Sequence, residues 1–336
     1  LKLNLFFYTN NIMTNNILKA EIHVHLEATI TPDLCRKFAK RNNVDISEDI
    51  FGNKYAYAWD DFYDFLKKYD IITSVIQTPE DYCELTYSYL KECAKENAIY
   101  VEAMISLAHA KLRGMTYDSF LGGIVKGASK AEEEFGIISR YIVNGIRHLG
   151  PDSVYDTAKE VLENRHNYVV GFGLAGDELN FPPKLFVKAF DMIKEENFPI
   201  TVHAGEWDGP EKIREAIKLL HPTRLGHGVR SIEDPMLVDE ICNSKIVLEI
   251  CPTSNVATKI YTNYQEHPVK KLYDKGVKIT VNSDDPPFFN ATVAGEYKVM
   301  SKLGLSDSEL LSLTHNAISY SFCDKSTKNK LLKKLI

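Results

Sequence analysis

The sequence predicts an α/β fold, a TIM-type (β/α)8 barrel with a helical insertion after strand 1. Three observations predict it: eight short apolar runs, helical patterns between them, and one long interval after the first run. A chain of 336 residues needs no second domain, since α/β barrels routinely hold about 250 residues or more in one unit.

Strand 1 is read at Glu21–Leu26, where Ile22, Val24 and Leu26 alternate with His23 and His25. Residues 27–98 separate it from the next run and carry helical patterns at Trp59–Ile72 and Pro79–Glu96. An insertion at that place would cover the barrel mouth. Strands 2 to 4 are read at Ile99–Ser106, Gly136–Val143 and Tyr168–Leu174, and strands 5 to 8 at Pro199–His203, Arg224–His227, Lys245–Ile250 and Val277–Asn282. Segments of helical character fall between them at Pro151–Asn164, Lys184–Asn197, Pro210–Leu220 and Pro235–Asn243, several with proline near the start. Strand and helix in alternation argue a parallel sheet, and the lack of any strand-only block favours closure over an open sheet. Residues 1–18 are read as a poorly ordered leader before a single domain over 19–336. The lysine-rich end, Lys325 to Lys334, is read as a solvated helix face.

Lys and Arg total 40 against 46 Asp and Glu, a net charge of −6, and that sign repels phosphate backbones and anionic membranes. Nucleic-acid and membrane partners are therefore not expected. Leu5–Tyr8 is too short for a signal-peptide core of about 7–15 residues, so the chain is expected in the cytoplasm. Six cysteines without a C-x-x-C pair read as reduced packing residues, Cys251 among them.

Ionisable groups at the ends of apolar strands need a reason. His23 and His25 on strand 1, His203 at the end of strand 5 with Glu206 beyond it, His227 at the end of strand 6 and Asp284-Asp285 after strand 8 all fall near strand C-termini, the barrel face that carries chemistry. The i, i+2 spacing of His23 and His25 points both rings to one side. With His203 and Asp284 they form an N3O donor set suited to Zn2+ with a position left for water. Strand 4 ends in Gly173-Leu174-Ala175-Gly176 with no lysine to bridge two metals, so one zinc per chain is expected. Glu206, its pKa raised by a dry pocket, is the candidate proton donor, and His227 the group that orients or deprotonates the attacking water. Asp285 beside Asp284 is the candidate acceptor for substrate.

These residues resemble the adenosine deaminase family, the mononuclear-zinc branch of the amidohydrolase barrels. The likeness runs through His23–Glu27, Gly173–Glu178, His203–Glu206, Arg224–Gly228, Cys251–Asn255 and Asn282–Pro286, in family order from about residue 19 to 300. It implies that His23, His25, His203 and Asp284 hold zinc, with His25 also facing the substrate. It further implies that Glu206 protonates purine N1, His227 steers the zinc-activated water to C6, Asp285 bonds the N7 edge and Gly176 gives a backbone contact to the ring. Glu27 stands where nucleoside-specific members place a carboxylate on the ribose 5′-hydroxyl, although Ala28 follows it where the family usually has glycine. The Gly173–Glu178 motif resembles the nucleoside deaminases, and Phe62 and Phe65 would suit an apolar lid over a sugar. The expected reaction is deamination of adenosine and 2′-deoxyadenosine in purine salvage, with a purine nucleoside and water as partners and the oligomeric state open. The alternative is another 6-aminopurine, free adenine or aminofutalosine, by the same mechanism.

Overall fold

The computed structural model describes residues 16–336. The expected leader therefore lies outside the described residues as far as residue 15, while Ile17 and Leu18 pack against the core. Eight strands follow: β1 (Lys19–Glu21), β2 (Ala98–Ile105), β3 (Ile138–Ile146), β4 (Val169–Ala175), β5 (Ile200–Ala204), β6 (Arg224–His227), β7 (Val247–Ile250) and β8 (Ile279–Val281). They pair in chain order, every pair parallel. The barrel is nearly closed by residues 23–25, which continue β1: His25 N donates to Asp284 O at 3.0 Å and Asp284 N to His23 O at 3.2 Å.

Strand 1 is shorter than its sequence pattern. The ladder stops at Glu21 because Ile22 N donates to the Asn282 side chain at 2.9 Å instead of to a neighbouring strand. Isolated bridges, Val24 to Asp284 and His25 to Met104, then carry the chain across the seam, and a 3₁₀ turn takes over at Leu26–Thr29. The two histidines thus sit at the closure itself.

Strands of a barrel are covered on both faces, and nearly every strand residue is buried. A smaller cluster at the strand starts sets Ala20, Ile99 and Ile138 against Ile318 and Leu331 of the last helices, Asp307–Tyr320 and Lys325–Leu332. Leu331 is the buried residue of that last helix, and Lys325, Lys330, Lys333 and Lys334 are exposed, as the sequence suggests.

The insertion contains helices Phe62–Thr73 and Pro79–Lys95 as predicted, and a third, Pro32–Asn42. That third helix is masked in the sequence by its charged outer face, and only Pro32, Cys35, Phe38 and Ala39 are buried. Its start is set by Thr31, which accepts from Leu34 N, with Pro32 in the first turn. All six cysteines are free. Among the described residues no helix is long and apolar enough to cross a membrane.

Candidate active site

Four groups from three separate parts of the chain converge at the C-terminal end of the barrel. His23 and His25 come from the seam, His203 from β5 and Asp284 from the turn after β8, and one donor atom of each lies within 4.8 Å of the others. His25 Nε2 is 3.2 Å from His203 Nε2, and Asp284 Oδ1 is 3.3 Å from His23 Nε2 and 3.5 Å from His25 Nε2. Gly226 makes this possible, since a Cβ there would lie 2.8 Å from the His23 ring and 3.1 Å from that of His203. Asp284 and His227 hold left-handed backbone at φ 63° and 59°, conformations that cost about 1–3 kcal/mol each and concentrate at functional sites.

The outer nitrogens fix the tautomers. His23 Nδ1 lies 2.7 Å from Glu249 Oε2 and His203 Nδ1 is 3.0 Å from Leu174 O, so both donate outward and turn an Nε2 lone pair inward. His23 Nε2 is buried without a hydrogen-bond partner. Burial opposes a charge on His23, yet Asp284 and Glu249 outweigh it and lift its pKa to about 10, a pull on positive charge that a cation in place of the Nε2 proton would satisfy. Inward lone pairs, one carboxylate and a strong pull on positive charge fit a zinc ion.

Behind the donors runs a buried ion network absent from the sequence reading. Glu102 pairs with Arg224 at 2.6 Å, Arg224 with Glu249 at 2.6 Å, and Thr201 Oγ1 donates to Glu249 at 3.0 Å. A carboxylate inside the apolar run Ile246-Val247-Leu248-Glu249-Ile250 was the available signal. Arg147 donates to His203 O at 2.7 Å and Phe181 O at 2.6 Å, holding the end of β5. Glu178 accepts from the backbone of Gly205, Glu206 and Trp207, which shapes the turn presenting Glu206.

Glu206 Oε2 is 3.6 Å from His227 Nε2, and Asp284 Oδ2 is 3.9 Å from the same nitrogen. Burial, then the charges of Asp284 and Glu178, push the Glu206 pKa well up, and burial with Asp284 does the same for Asp285. Asp285 Oδ1 is buried without a partner. The state of His227 follows from a chain of donors. Val269 N donates to His267 Nδ1 at 3.1 Å, so His267 Nε2 carries a proton and donates to Asn255 Oδ1 at 3.1 Å. The Asn255 amide nitrogen then faces His227 Nδ1 at 3.2 Å and donates to it. Burial lowers the His227 pKa to about 3, so the ring is neutral with its proton on Nε2, facing the site. Such a ring donates a hydrogen bond and has no free lone pair to act as base.

A cavity of about 610 Å³, counting its open mouth, lies over these groups. His25, Ala175, Gly176, Glu206, His227, Asp284 and Asp285 line its floor, and Phe62, Phe65, Leu66 and Phe289 supply an apolar wall. Gly176 has φ 97°, and a Cβ there would meet His148 Nδ1 at 2.9 Å. Cys251 Sγ also approaches His23, His227 and Asp284, but its thiol donates to Glu249 O at 3.7 Å and burial raises its pKa well above the usual thiol range.

Glu27 alone among the expected residues is not brought in. Its carboxylate, 1% exposed, accepts from Ser106 N at 2.9 Å and from the Tyr82 hydroxyl at 3.3 Å, and it does not line the cavity.

The adenosine deaminase family model matches residues 18–336. The chain is 41% identical over 324 residues to an adenine deaminase of Rhizobium meliloti (strain 1021), covering 96% of this chain and 99% of that protein. The crystal structure of adenine deaminase from Arthrobacter aurescens superposes with a TM-score of 0.89 at 30% identity, over 95% of this chain and 98% of that one. An amidohydrolase from Burkhoderia ambifaria with bound Zn shares the fold, with a TM-score of 0.86 at 24% identity over 96% and 94% of the two chains. The names of the relatives overturn the expectation of an adenosine substrate. The structure agrees in the placement of Glu27, whose Oε1 accepts from both Ser106 N and the Tyr82 hydroxyl and whose side chain does not line the cavity where a ribose would lie.

Proposed function

The chain belongs to the adenosine deaminase family and is a hydrolytic deaminase, and on that premise we propose that its substrate is free adenine, converted with water to hypoxanthine and ammonia. The observation that carries this reading is the withdrawn Glu27. An apolar wall of Phe62, Phe65, Leu66 and Phe289 supports it, against the expectation that Phe62 and Phe65 cover a sugar, because an unsubstituted purine edge loses less there than a sugar with three hydroxyls. The relatives named adenine deaminase at about this chain's full length support it independently.

His23, His25, His203 and Asp284 would hold a single zinc. Zinc, when bound, supplies Lewis acidity that lowers the pKa of a water from 15.7 toward about 7. Glu206 gives a proton to purine N1, which draws electron density from C6 and readies it for attack. His227 donates from Nε2 to the attacking oxygen and orients it, with Asn255 keeping the ring in that tautomer. Asp285 faces the N7 edge with its unpartnered oxygen, and the Gly176 backbone borders the ring plane. As the C6–N bond breaks, the proton of the new C6 hydroxyl passes to the amino group, which leaves as ammonia with the carbonyl of hypoxanthine remaining, and the other proton of the water restores Glu206. The aromatic wall keeps bulk water from the reacting face.

The test is a panel of adenine, adenosine and aminofutalosine with zinc-replete protein. Adenine should lead in kcat/KM by about 100-fold or more, the discrimination available when a buried site leaves polar groups of the wrong substrate unpaired. A preference for either nucleoside would falsify the substrate assignment. In the same assay Glu206→Gln should lose about 10²–10⁴ in kcat while zinc content stays unchanged.

A further inference from the structure

Near the mouth of the cavity three groups unused by the deamination converge. Asp70 comes from the insertion helix Phe62–Thr73, His109 from the short helix Leu107–Leu112 after β2, and His148 from the 3₁₀ turn Arg147–Leu149 after β3. One ligand atom of each lies within 4.8 Å of the other two, and His109 Nε2 is 3.3 Å from Asp70 Oδ1. His109 is only 5% exposed. Both of its ring nitrogens, and both of those of His148, are buried without a hydrogen-bond partner. Buried polar atoms are nearly always satisfied, and each neutral ring offers one nitrogen lone pair, so two such rings beside one carboxylate call for a ligand that accepts lone pairs. Gly176 contributes by its missing side chain, because a Cβ there would press on His148 Nδ1 at 2.9 Å.

From this juxtaposition we infer a second divalent-cation site, of the zinc class, on Asp70, His109 and His148. Two imidazole nitrogens and one carboxylate oxygen supply three tetrahedral positions and leave the fourth to water. The three ligands belong to three segments, so an ion here clasps the insertion helix to the barrel rim. His109 and His148 also line the substrate cavity, and the bound ion therefore hinders exchange of substrate as well as stiffening its cover. Burial lowers the His148 pKa and keeps that ring in the neutral form a metal requires. The site is thus an inhibitory latch, filled when free zinc is abundant.

The experiment titrates the full chain with zinc and counts bound metal by equilibrium dialysis and elemental analysis, with the thermal midpoint and adenine turnover followed in parallel. Wild-type protein should bind one more equivalent than Asp70→Asn and His148→Ala, at micromolar free zinc. As it binds, kcat/KM should fall about tenfold while the midpoint climbs with zinc concentration. Retention of the extra equivalent by either variant, or its absence from the wild type at millimolar zinc, overturns the inference. The metal count does not depend on which purine is deaminated, so its failure is distinct from failure of the adenine reading.

Discussion

His227 illustrates how a residue's role is set by atoms it does not share a strand with. Its place at the end of β6 is readable, because an imidazole at the end of an apolar strand is costly without a task. Its tautomer is not, since that depends on Asn255 and His267, 28 and 40 positions further along. The Asn255 contact favours the tautomer with the His227 proton on Nε2, and the proposed role of donor rests on it. Replacing Asn255 with alanine should release the ring and lower kcat by about 10–100-fold, the usual cost of losing a partner that orients a catalytic group. Steady-state kinetics with a zinc assay checks this: a variant with full kcat would show that the ring needs no such anchor. Glu249 and Glu178 were missed for a related reason, as each supports other residues and touches no substrate.

The insertion helix Phe62–Thr73 is the element on which the cavity wall depends. Asp61 caps it, its side chain accepting from Tyr63 N and Asp64 N at 3.0 Å, and Phe62 and Phe65 in the first turns face the cavity. Phe65 packs against Phe289 with centroids 5.3 Å apart, and Phe62 against Trp207 at 4.4 Å. Asp61→Ala should cost about 1 kcal/mol by denaturant titration. Because the frayed turn carries the wall, KM for adenine should rise more than kcat falls; an unchanged KM would mean that the first turn is held by its aromatic contacts alone. The element was legible from its pattern, whereas helix Pro32–Asn42 was hidden by its charged face. The pattern of strand 1 outruns its ladder because the alternation of apolar residues and histidines continues past Glu21, where the Asn282 side chain replaces the neighbouring strand.

At the scale of the whole molecule, burying carboxylates links stability to pH. Glu296 Oε1 has no partner, and burial pushes the group up from 4.5 to about 8. A raised carboxyl pKa means the native state holds a proton that the unfolded chain releases earlier. Its stabilising share is complete below about pH 4.5 and is lost as pH climbs through about 8. Glu296→Gln should therefore flatten the decline of the denaturation midpoint between about pH 5 and pH 9, and equal slopes in both proteins would contradict this. Glu21, raised to about 7 chiefly by burial, has the same sign and remains in the variant. The barrel and its four convergent donors were determined by sequence alone, because strand periodicity and the parallel order force residues at strand ends onto one face. Where the Glu27 carboxylate lies relative to the cavity was decided only in the tertiary structure. The direction of the Glu27 carboxylate depends on Tyr82 and Ser106, 55 and 79 positions away, and local pattern carries no record of contacts that the folded chain alone creates.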